Sequence, residues 1–227
     1  MRGRGALERR QVREILPYAS ATGTKRNLDA LLEAGWRLLI SAAAIRNAYV
    51  LDRWPFAFGL DNGAWSAHQQ QRPFDEPAFA IALERFGARA DWVVCPDIVA
   101  GGAASLALTK RWLRQCLDGC QRALVAVQDG MEPGDVEPLL EDRVGLFVGG
   151  STPWKLRTID AWCALGASHG AWVHVGRVNS MKRIKLCSTG GATSFDGTSV
   201  TRYAVTLPKL ERARRQGSLG LFSKDTP

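Results

Sequence analysis

The sequence predicts a single α/β domain folded as a compact (β/α)8 TIM-like barrel. Short apolar runs recur along the chain without alternating with polar residues, as expected of parallel strands that are buried on both faces. Segments with helical spacing lie between these runs, which is typical of a parallel sheet. Nearly every run ends in polar residues or glycine. A barrel distributes reactive groups over many strand ends, whereas an open sheet concentrates them at one point, so the pattern favours the barrel.

The individual elements follow from the same patterns. The apolar runs predict strands at 36–41, 56–61, 91–95, 123–128, 144–149 and 171–176, and a last strand that ends near residue 196. The helical spacing predicts helices at 25–35, 75–88, 103–119, 133–142, 153–166 and 179–190. Pro133 and Pro153 lie near first-turn positions, where proline is favoured, and Thr152 is suited to cap a helix.

The positive charge is concentrated at the two ends of the chain. The net charge is +8, and the first 26 residues carry seven basic and two acidic residues. Residues 177–215 carry nine basic and two acidic residues, whereas the segment between has an excess of acids. Residues 1–227 are expected to form one domain, with a basic arm at about 1–24 and a basic helix at about 203–217. Such ends suit an acidic partner such as nucleic acid, and they are equally explained as solvated segments that keep the protein soluble.

Composition excludes several classes of protein. A hydrophobic fraction of 46% and a charged fraction of 23% are those of a globular protein. The longest apolar run, at 38–45, is too short to span a bilayer, so we expect a cytoplasmic protein with no membrane partner. The five cysteines include no C-x-x-C pair and are expected to be buried small side chains. The three histidines are too few and too scattered for a metal site, so we expect no metal or cofactor. His174 is expected to be a wall residue of the core or pocket.

Candidate reactive residues stand at successive strand ends: Asp61 in "LDNGAW", Asp97 in "CPDIV", Gln128 in "VQDG", Gly149 and Gly150 in "VGGST", and Asp196 in "SFDGTS". Singly, each has an ordinary explanation as a turn residue, a helix cap or a satisfied core amide. Together they are expected to converge on one barrel mouth. No basic residue lies within five positions of Asp196, so its charge is expected to have no neighbouring cation.

In this order the residues resemble the guanine transglycosylase superfamily, most closely the 7-deazaguanine DNA transglycosylases (DpdA type) of phages and bacterial modification clusters. The resemblance covers about residues 20–200. It implies a pentosyltransferase that replaces guanine in DNA with a 7-deazaguanine base through a covalent aspartyl-nucleotide intermediate. Asp196 would be the nucleophile and Asp61 the general acid and base. The residues implied to bind the base are Asp97, Gln128, Gly149, Gly150 and Gly176.

The resemblance also implies a polynucleotide partner, with the target guanine flipped out or single-stranded. The basic residues expected along its backbone are Arg177, Lys182, Arg183, Lys185 and Arg202, and Arg212, Arg214 and Arg215 either extend this track or form a solvated helix face. The 31 residues after Asp196 contain no Cys or His. This departs from the zinc site of the tRNA enzymes and implies a shortened form without the zinc-binding subdomain.

Three alternatives remain open from the sequence. The first is a guanine transglycosylase that acts on RNA, namely tRNA. The second is a catalytically silent barrel that binds nucleic acid, for which the loss of Asp61 or Asp196 would be the sign. The third is a barrel enzyme for a small phosphorylated metabolite, with Gly149 and Gly150 as its phosphate site.

Overall fold

A computed structural model describes residues 14–22, 24–202 and 206–219, and these residues form the closed parallel barrel that the sequence predicts. Each strand pairs with the next in parallel, and β8 pairs with β1 to close the barrel. The strands are β1 (Leu16–Ser20), β2 (Arg37–Ser41), β3 (Phe58–Asp61), β4 (Val93–Val94), β5 (Ala123–Val127), β6 (Val144–Val148), β7 (Val173–Val175) and β8 (Ser194–Gly197). The carboxyl ends of all these strands therefore meet at one mouth.

Helices connect the strands along the outside of the barrel. The α-helices are α1 (Lys25–Glu33), α2 (Ala64–Gln69), α3 (Glu76–Phe86), α4 (Gly102–Gly119), α5 (Pro133–Val136), α6 (Thr152–Ser168), α7 (Met181–Gly190), α8 (Ser199–Arg202) and α9 (Leu207–Leu219). Short 3-10 helices lie at Ala42–Asp52, Gly87–Arg89 and Glu137–Leu139. Among the described residues, no helix is long and apolar enough to cross a membrane.

The structure corrects the sequence prediction at both ends of the chain. Residues 16–20, which the charge pattern assigned to the basic arm, form β1 inside the barrel. Pro17 lies in this strand, and proline in a short apolar run is a signal against a strand. Within the rest of the expected arm, residues 1–13 and residue 23 lie outside the described residues. The basic helix is α9, which begins at Leu207 rather than near 203, while 203–205 are not described.

Large side chains fill the interior of the barrel. Tyr18 and Trp92 are fully buried and pack there with Val94, Leu124 and Ala126. Gly59 makes room for the indole, because a Cβ at this position would lie 2.4 Å from Trp92. The amino-terminal end is closed as well, since the Tyr18 hydroxyl donates to Asp91 at 2.8 Å and Arg37 pairs with the same carboxylate at 2.8 Å. The polar residues that follow the strands lie at the other end, the carboxyl-terminal mouth.

The five cysteines agree with the expectation of buried small side chains. All of them are free thiols and buried. Burial raises the pKa of Cys120, Cys163 and Cys187 to about 12, so these thiols stay protonated at neutral pH.

Candidate active site

Asp196 lies at the carboxyl end of β8, and only 4% of its surface is exposed. Its Oδ1 accepts hydrogen bonds from the backbone N–H of Arg177 at 3.2 Å and from Nε2 of His174 at 3.1 Å. No described residue donates to Oδ2. The two oxygens of this carboxyl group are therefore unequal, since the described hydrogen bonds hold only Oδ1.

His174 holds Asp196 from inside the barrel. The ring is fully buried, and its Nδ1 lies 2.8 Å from the hydroxyl oxygen of Ser194, which also accepts the indole N–H of Trp172 at 2.7 Å. Burial lowers the pKa of His174, so the ring is neutral and carries one N–H. The bond to a carboxylate requires this N–H on Nε2, so Nδ1 accepts from Ser194. The expected wall residue is thus a direct partner of Asp196.

Asp61 ends β3 and is the second carboxylate of the mouth. Burial raises its pKa to about 6, and the charges of Asp97 and Asp196 act in the same direction. The backbone N–H of Gly63 donates to Oδ2 at 3.1 Å and partly opposes this shift. Asp61 is therefore within electrostatic reach of both other aspartates, and its pKa lies well above the ordinary value for an aspartate.

Asp97 follows β4 and is held by Asn62, which follows the neighbouring strand β3. The Asn62 amide donates to Asp97 Oδ1 at 2.7 Å and to the carbonyl of Cys95 at 2.7 Å, while its own oxygen accepts the N–H of Ala64 at 2.8 Å. Burial raises the pKa of Asp97 to about 6. Asn62 is buried and sets the position of Asp97, a role that the sequence did not predict.

Gln128 is brought to the site, but its amide is used within the protein. Its Nε2 donates to the carbonyl of Ile98 at 2.8 Å and to the hydroxyl of Ser105 at 2.7 Å, and its Oε1 accepts the N–H of Ala100 at 2.5 Å. With both amide hydrogens engaged, Gln128 holds the loop that carries Asp97. The geometry favours this ordinary role, which the sequence left open, over direct reading of a base.

The glycine amides are also largely engaged. The N–H of Gly149 donates to Val127 at 2.9 Å and that of Gly176 donates to Val148 at 3.0 Å, both as extensions of the sheet. Gly150 has a φ of +61° and lies in a turn that Asp129 holds through the N–H and hydroxyl of Ser151, each at 2.6 Å. The turn thus positions the start of α6.

Arg177 bridges the mouth. It follows β7 with a φ of 59°, a strained conformation for a residue with a side chain, of the kind that clusters at functional sites. Its guanidinium donates to the carbonyl of Gly150 and lies 4.2 Å from the ring centre of Trp65. Because Trp65 follows β3, this contact joins loops from opposite sides of the barrel.

Lys155 is a further functional candidate that the sequence did not indicate. It lies on α6, only 6% exposed, and its ammonium donates to the carbonyl of Gly176. Burial lowers its pKa to about 8, and the charge of Asp196 opposes that shift. Asp196 therefore does have a cation in its surroundings, contrary to the expectation from its neighbours in sequence. A lysine on an otherwise ordinary helix carries no local signal of burial.

Some of the basic residues expected to contact nucleic acid line a groove, and others are paired with acidic residues. Lys182, Arg183 and Lys185 on α7 line a groove of about 500 Å³ that also contains Ser180 and the apolar Leu156. Arg214, in contrast, is buried and paired with Glu14 and Glu211, so it neither extends the track nor forms a solvated face. Arg215 is paired with Glu211 as well. The side chain of Arg202 lies outside the described residues, and Arg212 is exposed on α9.

Comparison of the chain with models of known protein families and with curated proteins gives no match. Within the described ranges, no group of three or more His, Cys, Asp or Glu side chains is placed to hold a metal ion. The fold is one that enzymes commonly use, and its mouth holds three aspartates in different environments. Such an arrangement can supply a nucleophile, a proton donor and a hydrogen-bond acceptor.

Proposed function

We propose that this protein is a base-exchange enzyme, a pentosyltransferase that replaces guanine in DNA with a 7-deazaguanine base. The observation that carries the proposal is the pair of Asp196 and Asp61 at one mouth. Asp196 is a buried carboxylate anchored through a single oxygen, while Asp61 has its pKa raised to about 6. Two carboxyl groups in unlike environments are typical of sites where one acts as nucleophile and the other transfers protons.

The chemistry divides into two displacements at the sugar carbon C1′. In the first, Oδ2 of Asp196 attacks C1′, the bond to guanine breaks, and Asp61 protonates the leaving base. In the second, Asp61 takes a proton from the incoming 7-deazaguanine, whose nitrogen attacks C1′ and releases Asp196. A pKa of about 6 suits both proton transfers near neutral pH, and such catalysis typically contributes about 10²–10⁴ in rate.

Asp97 is suited to recognise the base. Its Oδ1 is held by Asn62, so the carboxyl group is fixed in direction. A carboxylate can accept from the ring N–H and the amino group that guanine and 7-deazaguanine share. Gln128 supports this role indirectly, because its amide fixes the loop on which Asp97 stands.

The groove beside α7 supports a polyanionic partner. Its described lining includes three basic side chains, Lys182, Arg183 and Lys185, and no acidic one. Phosphate contacts of this kind give affinity without sequence preference, and in this proposal they hold the polynucleotide while the target nucleotide is flipped into the mouth.

Nucleoside analysis tests the proposal. DNA and tRNA would each be incubated with the protein and 7-cyano-7-deazaguanine, digested to nucleosides and analysed by mass spectrometry, with Asp196→Asn as the matched inactive control. We expect the modified deoxynucleoside only with the unaltered protein. Modification of tRNA instead of DNA would assign the RNA alternative, and modification of neither polymer would refute base exchange.

A further inference from the structure

One peptide group connects a buried ammonium to the candidate nucleophile. The carbonyl of Gly176 accepts a hydrogen bond from Nζ of Lys155. The N–H of the same peptide unit, contributed by Arg177, donates to Oδ1 of Asp196 at 3.2 Å. Lys155 and Asp196 therefore bind opposite ends of a single peptide dipole.

This peptide group is held in place from several directions. On its amino side, the N–H of Gly176 donates to the carbonyl of Val148 at 3.0 Å. On its carboxyl side, the N–H of Val178 donates to the backbone carbonyl of Asp196 at 2.6 Å, and the Arg177 side chain is fixed on Gly150 and Trp65. The orientation needed to bind Asp196 is thus built into the end of β7.

We propose that Lys155 is a positioning residue for Asp196, which it orients and supports through the Gly176–Arg177 peptide. The inference rests on the proposed role of Asp196 as nucleophile. Hydrogen bonds that involve charged groups are shorter and stronger than neutral ones, and bonds in series polarise one another in a low-dielectric interior. The ammonium also balances the charge of Asp196, which limits the cost of burying either group alone.

The charged and titratable groups around Lys155 come from three other elements. Arg177 at the end of β7 and Arg183 on α7 disfavour its charge, whereas Asp196 on β8 favours it. Cys187 on α7 is a thiol with its pKa raised to about 12, and His174 is neutral, so neither supplies a charge near neutral pH. Since the lowered pKa of Lys155 is about 8, its ammonium is present below that pH and is lost as the pH rises through it.

Steady-state kinetics across pH test the inference. In the unaltered enzyme, kcat is expected to fall above about pH 8. Lys155→Met keeps most of the side-chain volume without the charge, and we expect kcat at pH 7 to drop about 10- to 100-fold with KM little changed. Lys155→Arg keeps the charge at all pH values, so it should retain more activity at pH 7 and lose the alkaline fall. A Lys155→Arg enzyme with the same alkaline fall, or a Lys155→Met enzyme with wild-type kcat, would overturn the inference.

A second measurement does not depend on activity. NMR titration of protein labelled at the lysine side chains follows Lys155, with its resonance assigned through Lys155→Arg. Asp196→Asn should lower the Lys155 titration midpoint, whereas Asp97→Asn, which removes another mouth carboxylate, should leave it unchanged. An unchanged midpoint in Asp196→Asn refutes the link between the two residues. If the midpoint falls but the unaltered protein exchanges no base, the link stands and the proposed function fails.

Discussion

Substitution of His174 tests whether a buried side chain inside the barrel controls the reactivity of Asp196 at the mouth. His174→Phe keeps an aromatic ring in the stack, where His174 lies 5.1 Å from Phe147 and 4.5 Å from Trp92, measured between ring centres. It removes the bond to Asp196 and the bond to Ser194 together. Leaving a buried polar group without its partner costs about 1–3 kcal/mol. If Asp196 is the nucleophile proposed above, removal of its bond to His174 should slow the attack on C1′ by about 10- to 100-fold, at ~1.4 kcal/mol per tenfold.

Single-turnover formation of the covalent aspartyl-nucleotide measures this step directly, and urea unfolding measures stability alongside it. Tyr18→Phe is the control, because it removes a single hydrogen bond from another aromatic residue inside the barrel, at the opposite end from the mouth. Both variants should lose about 1–3 kcal/mol of stability, while only His174→Phe should lose rate. Equal single-turnover rates in the two variants would show that His174 merely fills space.

Three further predictions concern the rest of the site. Burial raises the pKa of Asp97 from 3.8 to about 6, so its ionisation destabilises the folded state progressively as the pH rises between these values. Asp97→Asn should therefore raise Tm at pH 7.5 but not at pH 4, as checked by thermal unfolding. Equal gains at both pH values would contradict a burial effect. Trp65→Ala removes the ring that supports the bridge across the mouth, and we expect KM for DNA to rise several-fold, with recovery in Trp65→Phe. For the α7 groove, log affinity for DNA should fall less steeply with log salt in Lys182→Ala, by about 0.9 for each phosphate that this lysine neutralises. Lys110→Ala, which removes an exposed lysine on α4, should leave the slope unchanged.

The alternation of strands and helices was predictable because each parallel strand is buried on both faces and reads as an apolar run. β1 was missed, since Pro17 and the small residues around it weaken that signal and basic residues precede it. The segment expected as one helix at 133–142 is broken into α5 and a 3-10 helix, with Pro138 at the start of the second part. Proline there limits α-helical propagation.

The candidate site was predictable only where residues stand at strand ends. Asp61, Asp97 and Asp196 do so, and the barrel brings Asp97 and Asp196 within electrostatic reach of Asp61. The roles of Lys155 and His174 could not be assigned, because their partners lie about 20 positions away along the chain. These contacts form only when the folded barrel places β7 beside β8 and α6. Burial of a lysine on a helix depends on neighbours that no local pattern specifies.

The filled interior of the barrel limits the route by which small molecules can reach Asp196. Trp92 and Tyr18 occupy the centre, and the pairing of Asp91 with Arg37 lies across the far end, so within the described part of the chain the three aspartates are reached from the mouth side. If bases are exchanged at Asp196, the departing guanine and the incoming base must use the same entrance. Guanine must then leave before the incoming base enters, so free guanine competes with that base. Between the two steps the covalent intermediate must be protected from hydrolysis by water.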